Sequence, residues 1–441
     1  MTAVTFTGLS SGIDTASLVS QLVAAERSPA NVIAGRQSDL NTQKSIVSSL
    51  SSALSALGTA MRGLDLPGET QPRKATSSDA HVTVAASSSA VATLHDVRVQ
   101  QLARGAINAS RTFSSAAAGV LGPGSVTITT GTTAVQIDYA STDSLADIAA
   151  RINKAGVAAS ASVLFDGTAY RLMVASTGTG TAAAAKFVDS GDSLGLSGPA
   201  KVLPRDAIAT IDGVEVTRAS NVMSDVVTDL TFTLVSPHAT ADASAAVTVA
   251  LDTDSLRTKL AGVVSAYNAV NSALHVQLDY TGTQKGTSTL FGDSTLRQLQ
   301  GALGGIMSSG YGPAGADPST LRSVGALGLT RAKDGSLTLD DTKFAAALAA
   351  DPDAVGDLFI TRGFSAKMTT MTDAYTRPSD GILAGKTRGL TDRSKSLQGQ
   401  IDHINTRADA LKTQLEKQFT ALETAMSKLK GQSSFLASIF G

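Results

Sequence analysis

Two copies of the pattern Gly-x-Ser-x-Gly are the residues best suited to chemistry, because hydrolases use it to hold a nucleophilic serine between a strand and a helix. One copy contains Ser10 and the other contains Ser193. The first lies near the start of the chain with no sheet before it, and the second lies in a Gly- and Ser-rich stretch. Both copies therefore predict turns, and a serine hydrolase that uses Ser193 is kept as an alternative hypothesis.

The sequence gives little support for a metal-binding site or for residues that act as a catalytic acid or base. The five histidines include no pair at metal-ligand spacing, and the chain has no Cys. A calcium loop starting at Asp351 would need a bidentate acid where Arg362 stands. Asp340 and Asp341 precede an apolar run, which predicts an N-cap and a first helical turn. We therefore expect no catalytic residues, no metal and no cofactor.

Composition restricts the class of protein further. Ala, Ser, Thr and Gly account for 210 of 441 residues, and aromatic residues for 4%. Without Cys the chain is not a disulfide-stapled module, and 42% hydrophobic residues argue against disorder. The net charge of −1 predicts no nucleic-acid partner, and no apolar run reaches the roughly 18 residues of a membrane helix. The first basic residue is Arg27, so we expect no cleaved secretory signal.

Apolar residues recur in steps of three and four at both ends of the chain, which is typical of heptad helices. The series run from Ile33 to Leu64 and from Leu397 to Leu429, and Pro67 and Gly431 are expected to end them. Helices of about 48 Å would fray alone, so they should pack on each other, on further helices or on neighbouring copies. The residues expected in leg-helix or oligomer packing are Leu40, Val47, Leu50, Leu54, Leu57, Met61, Leu397, Ile401, Ile404, Leu411, Leu415, Leu422 and Leu429.

The middle of the chain has a different pattern. Residues 76–252 contain short β-type runs separated by Gly, Pro and Asp-Gly turns, with one amphipathic helix at 144–156. Residues 254–376 return to helical spacing, with Pro352 between two short helices. The prediction is a multidomain α+β fold, in which long terminal helices form a coiled-coil or helical-bundle leg and nested β-rich head domains are inserted between them.

Four segments resemble the flagellar hook-associated protein 2 family, the filament-capping proteins. The N-terminal segment reads GLSSGIDTASLVSQLVAAERSP, and the four segments are residues 8–29, 205–234, 327–359 and 390–429. One departure is that Thr228 and Asp229 stand where the family often has a Gly turn. The resemblance covers about a third of the chain directly and brackets nearly all of it.

The domain organisation expected from the patterns and the resemblance has five parts. They are a terminal segment that is flexible until assembly (1–30), a helical leg (31–75 with 254–430), a β-rich head (76–111 with 204–253), an inserted outer β-rich domain (112–203) and a short apolar tail (431–441).

The resemblance implies a homo-oligomeric, ring-like cap at the extracellular tip of the bacterial flagellum. Such a cap promotes folding and insertion of exported flagellin and prevents its loss to the medium. The implied partners are copies of the chain itself, flagellin, hook-filament junction proteins, the type III export apparatus and an export chaperone, without membrane insertion. The residues expected to dock a chaperone or neighbour are Phe435, Leu436, Ile439 and Phe440. Another axial component, such as a junction protein or flagellin, and a secreted adhesin acting through residues 112–203 are the alternatives.

Overall fold

The computed structural model describes residues 14–191, 193–240, 243–278, 289–311 and 321–440, with side chains as far as Leu436 in the last range. The chain folds into two compact units. The helical unit contains residues 1–70 and 257–441, and the β unit contains residues 71–256. The unit boundaries follow the change from helical to β-type patterning in the sequence.

The described helices are α1 (Thr15–Arg62), α2 (Pro67–Thr70), α3 (Leu145–Lys154), α4 (Thr253–Leu278), α5 (Ser294–Ser308), α6 (Asp341–Ala350), α7 (Pro352–Phe359), α8 (Phe364–Thr376) and α9 (Ile382–Phe440). The described strands are β1 (Arg73–Ser77), β2 (Val82–Ala86), β3 (Thr93–Gln101), β4 (Ile107–Ala109), β5 (Gly124–Thr130), β6 (Thr133–Tyr139), β7 (Ala159–Phe165), β8 (Tyr170–Ser176), β9 (Lys186–Ser190), β10 (Ala207–Ile211), β11 (Val214–Arg218), β12 (Val222–Met223), β13 (Leu230–Leu234), β14 (Ala245–Leu251), β15 (Leu329–Arg331) and β16 (Leu337–Leu339).

The helical unit is built on α1, which packs against α8 and α9. The side chain of Asp14 starts α1 by accepting the backbone N–H of Ser17 at 2.9 Å. Helix α8 approaches closely because α1 has a glycine at the crossing: a Cβ on Gly58 would lie 2.7 Å from the Thr372 hydroxyl oxygen. Phe364 contacts the rings of Tyr311 and Phe359 edge-on, which ties α7 and α8 into the same core.

Both ends of this unit differ from the prediction. Helix α1 begins at Thr15, before the expected series that starts at Ile33, and continues through Pro29. The flexibility of the segment 1–30 before assembly stays a prediction. Pro29 removes one backbone hydrogen bond, and the helix continues past it because α9 packs alongside. The helix end predicted at Gly431 is wrong, since α9 runs to Phe440. Residues 1–13 lie outside the described residues.

The β unit contains two lobes. The sandwich lobe, formed by β1–β3 and β10–β14, has a five-stranded sheet in the order β1-β14-β3-β10-β11 and a three-stranded sheet in the order β12-β13-β2. Its strand pairs are antiparallel, and its core includes Val97 and Val247 from one sheet and Phe232 and Leu234 from the other. Alternating burial along β13 and β14 follows from strand geometry, in which successive side chains point to opposite faces.

The inserted lobe, formed by β4–β9 and α3, has its own core. Two three-stranded sheets, β4-β8-β7 and β6-β5-β9, enclose a cluster to which α3 contributes Leu145, Ile148 and Ile152. A capping box starts α3. The Ser144 hydroxyl oxygen accepts a hydrogen bond from the backbone N–H of Asp147, and the Asp147 carboxylate accepts one from the backbone N–H of Ser144. The amphipathic helix predicted at 144–156 is therefore confirmed.

Two turns of the sandwich lobe use aspartate in the left-handed region. Asp212, with φ of 52°, precedes Gly213 in the two-residue turn between β10 and β11. Asp229, with φ of 65°, lies directly before β13. Its carboxylate accepts the Ser87 hydroxyl at 2.7 Å. Aspartate tolerates this conformation better than most residues, so it can occupy both turns.

The predicted α+β class, with long terminal helices and β-rich domains between them, is confirmed. The domain boundaries stay predictions, although residues 71–75 and 254–256, which were assigned to the leg, belong to the β unit here.

Candidate assembly surface

Helices α1 and α9 form an antiparallel pair. Glu26 and Arg407 form an ion pair across it, and Arg27 binds Asp409 at 2.5 Å. Gln37 donates to the side chain of Gln398 at 3.0 Å. The residue numbers rise along one helix as they fall along the other, so the N-terminal half of α1 lies beside the middle of α9.

The predicted packing residues of α1 are buried in the core of the single chain. Leu40, Val47, Leu50, Leu54, Leu57 and Met61 are all buried. In this part of the pair α8 supplies a third helix, and the Arg62 guanidinium binds Asp373 of α8 at 2.5 Å. These six side chains are therefore covered without a second copy of the chain.

The predicted packing residues of α9 are less well covered. Leu397, Ile401, Ile404, Leu411 and Leu415 are half-buried. Beside Leu415, a small cluster of Val19, Val23 and Ala408 closes the pair. Leu422 is 43% exposed and Leu429 is 59% exposed. The far part of α9 thus presents its apolar stripe to solvent.

The residues predicted to dock a chaperone or neighbour follow the same trend. Phe435 is 65% exposed and Leu436 is also exposed, whereas the side chains of Ile439 and Phe440 lie outside the described residues. Further exposed apolar residues on α1 and α9, outside the predicted set, include Leu18, Leu22, Val32 and Met426. We use the name distal apolar face collectively for the exposed side chains Leu18 and Leu22 of α1 and Leu422, Met426, Leu429, Phe435 and Leu436 of α9.

A signal for this face was present in the sequence. Leu18 and Leu22 stand one turn apart, and Val19 and Val23 follow each of them, so two adjacent helix stripes are apolar. A two-helix contact needs only one of these stripes. The second stripe is therefore apolar surface that the contact between α1 and α9 does not use.

The helix pair also carries an excess of positive charge. Helix α1 has four basic and two acidic residues, and α9 has nine basic and five acidic residues. The remaining part of the chain is acidic, because the whole chain has 36 basic and 37 acidic residues. Such a distribution favours contact with acidic surfaces and makes association depend on salt.

A partly buried ion pair fixes the start of α9. Asp293 caps α5 through the amides of Thr295 and Leu296, and its second oxygen binds the Lys386 ammonium group. Burial alone would raise the pKa of Asp293, but the hydrogen bond and charge of Lys386 outweigh it and hold the pKa below its usual value.

The chemistry-bearing residues considered in the sequence take structural positions. The Ser193 hydroxyl oxygen accepts the Gly122 N–H at 3.1 Å and lies 3.3 Å from the Gly122 carbonyl oxygen, so it ties two loops together. Asp340 caps α6 as predicted, and Asp341 binds Arg257 at 2.7 Å. Ser10 lies outside the described residues.

Histidines of the sandwich lobe also have structural roles, because they form hydrogen bonds within that lobe. His238 is buried, accepts the Val99 N–H on Nδ1 at 2.9 Å and binds Asp79 through Nε2 at 3.1 Å. His95 binds Asp212 at 2.6 Å. Over the ranges that the structure describes, no group of three or more His, Asp or Glu side chains is arranged to hold a metal ion. None of the helices in those ranges combines the length and apolarity needed to cross a membrane.

The two long terminal helices pair with each other, and the β domains are inserted between them along the chain. Some apolar side chains on these helices stay uncovered. Together these features define a multidomain assembly protein. Two sequence families match separate parts of the chain, one towards each end. Residues 11–106 match the family described as flagellar hook-associated protein 2 N-terminus, and residues 205–431 match its C-terminus. Residues 125–178 match the flagellin hook IN motif. The chain belongs to the flagellar hook-associated protein 2 family.

Individual relatives agree over nearly the full length. Flagellar hook-associated protein 2 of Escherichia coli K12 is 27% identical over 100% of this chain and 98% of its own. The B-type protein of Pseudomonas aeruginosa is 28% identical over 96% of this chain and 95% of its own. The crystal structure of the flagellar cap protein FliD D1-D2-D3 domains from Escherichia coli matches with a TM-score of 0.65 at 25% identity, covering 79% of this chain and 100% of that one.

Proposed function

We propose that this protein is a flagellar filament cap, a homo-oligomeric assembly factor at the extracellular tip of the filament. The observation that carries the proposal is the family match at both ends of the chain, which coincides with the long helices α1 and α9. In this role the cap promotes folding and insertion of exported flagellin and prevents its loss to the medium.

The distal apolar face supports the homo-oligomeric part of the proposal. Large apolar side chains that lie together on a helix surface mark sites of protein contact. Copies of the chain, flagellin and the hook-filament junction proteins are the partners that this surface would meet outside the cell. Phe435 and Leu436 are exposed and would serve an export chaperone before secretion through the type III apparatus without a cleaved signal.

The test compares two surface variants of the full-length protein. Leu422→Gln with Leu429→Gln removes apolar surface that is already in water, so the isolated chain should keep its stability. Ser427→Gln adds a similar side chain to an exposed polar position between them and serves as the control. We expect native mass spectrometry to show oligomers for the wild type and the control, and monomers for the double variant.

The cellular test uses the same variants in a strain that lacks the chromosomal copy. Deletion should leave hooks without filaments and monomeric flagellin in the medium, and the control variant should restore filaments. Normal filaments in the deletion strain would contradict the cap function. Normal filaments with the double variant alone would instead contradict the role of the distal apolar face.

A further inference from the structure

The two lobes of the β unit are joined at a narrow place. The chain enters and leaves the inserted lobe through a two-stranded ribbon, in which Arg104 pairs with Arg205 and Ile107 pairs with Val202. Their backbone hydrogen bonds measure between 2.9 and 3.1 Å. A ribbon of this width twists and bends easily, so the ribbon alone does not fix the angle between the lobes.

A second contact lies beside the ribbon. The loop of residues 177–183, between β8 and β9, reaches from the inserted lobe to the sandwich lobe. The Thr181 backbone N–H and hydroxyl bind the two carboxylate oxygens of Asp206 at 2.7 and 2.9 Å. The Thr179 hydroxyl donates to the Ala219 carbonyl at 2.7 Å, and the Gly180 N–H donates to the Arg104 carbonyl at 3.2 Å.

Glycine is required at the centre of this loop for two reasons. Gly180 has φ of 86°, in the left-handed region. A Cβ at this position would also lie 2.6 Å from the Cα of Ala219. The loop therefore lies against the sandwich lobe at a distance that any side chain would prevent.

The lobes do not pack continuously around this loop. An open cavity next to it is lined by Thr130, Gly131 and Gly156 of the inserted lobe and by Ala219 of the sandwich lobe. Each lobe also has a separate hydrophobic core. The contact between the lobes thus depends on the few hydrogen bonds made by the loop, and the cavity leaves space for one lobe to move relative to the other.

We propose that the loop of residues 177–183 is an interlobe clamp that fixes the orientation of the inserted lobe, and that the ribbon acts as a hinge when the clamp is broken. Asp206 and Gly180 are the residues that hold the clamp closed. This inference goes beyond the cap function and does not depend on it.

The experiment measures the distance between the lobes in the full-length protein. Because the natural chain has no Cys, spin labels can be placed at Ser162→Cys and Thr248→Cys, which are exposed positions on the inserted and sandwich lobes. We expect Asp206→Ala to broaden the distribution of distances between the labels. Asp225→Ala is the matched control, because Asp225 binds Arg218 within the sandwich lobe.

A second pair of variants separates steric contact from backbone strain. In Gly180→Ala the new methyl group would clash with Ala219. For Gly167→Ala, Gly167 also has a positive φ, of 99°, but a methyl group there would have nothing within 4 Å. Both carry a left-handed penalty, but only the first should broaden the distribution.

Hydrogen exchange supplies an independent readout. Loss of two clamp hydrogen bonds in Asp206→Ala should speed exchange of the ribbon amides about tenfold. The β5–β6 amides should keep their protection. Ribbon exchange and distances equal to those of the controls would overturn the proposal. Loss of protection throughout the inserted lobe would also overturn it, because the loop would then be part of that lobe's fold and not a joint.

Discussion

The ion pair between Lys386 and Asp293 gives a quantitative prediction for the helical unit. The two side chains are 21% and 19% exposed, so they lie between a surface pair and a fully buried one. Exposed pairs contribute about 0.2–1 kcal/mol, and removing one partner of a buried pair costs about 3–5 kcal/mol. We expect Lys386→Met to lower the free energy of unfolding by about 2 kcal/mol, because Asp293 keeps its charge and its burial.

Lys343 offers a matched control. It also pairs with an aspartate that caps a helix, Asp340, but at 3.8 Å and with side chains that are 58% and 40% exposed. Lys343→Met should cost no more than about 0.5 kcal/mol. Urea unfolding followed by far-UV circular dichroism measures both variants, since most of the described helix lies in the helical unit.

The pH dependence has a definite sign. The pKa of Asp293 is lower in the folded protein than its usual value of about 3.9, so the pair stabilises fully above that pH. The contribution is lost as the pH falls through the folded pKa. The difference between wild type and Lys386→Met should therefore shrink below about pH 4. A Lys386→Met variant as stable at pH 7 as Lys343→Met would refute the reasoning.

Two further predictions concern packing along α1. Leu57→Ala should cost about 2–5 kcal/mol of unfolding free energy, because Leu57 is fully buried, while Leu422→Ala should change it by less than about 0.5 kcal/mol. Gly58→Ala should destabilise by about 1–3 kcal/mol through contact with Thr372, whereas Gly35→Ala, with nothing within 4 Å, should stabilise the helix by up to about 1 kcal/mol. Chemical unfolding of the four variants checks both predictions, and equal effects of the two glycine substitutions would contradict the close approach of α8.

Much of the fold could be predicted where one element carries its own signal. The alternation in residues 245–251 and the Asp-Gly turn at 212–213 predicted β14 and the β10–β11 hairpin. Strand β1 was missed because RKATS has no apolar alternation and is held by its pairing with β14. Strands β15 and β16 are also not evident from the sequence, because contacts with other elements hold them in place. They are three residues each, and Asn268 of α4 binds the backbone of Leu337.

The candidate site was predicted less completely. Heptad spacing identifies which side of α1 is apolar, but it does not show where the third helix of a bundle is present. Leu54 and Leu422 occupy equivalent positions in their series, yet the first is fully buried and the second is 43% exposed. Leu54 lies in the stretch of α1 on which α8 packs, and heptad spacing carries no information about where such a third helix will pack.

One packing rule nevertheless accounts for both halves of the helix pair. The stripes on α1 and α9 are wider than two helices need, so each part of the pair requires a third apolar surface. Along Leu40–Met61 the chain covers the stripe itself, and around Gly58 it does so with α8, which the glycine allows to approach closely. Along the distal apolar face the described part of the chain supplies none. The same heptad pattern therefore gives a closed core in one half and leaves large apolar side chains exposed in the other.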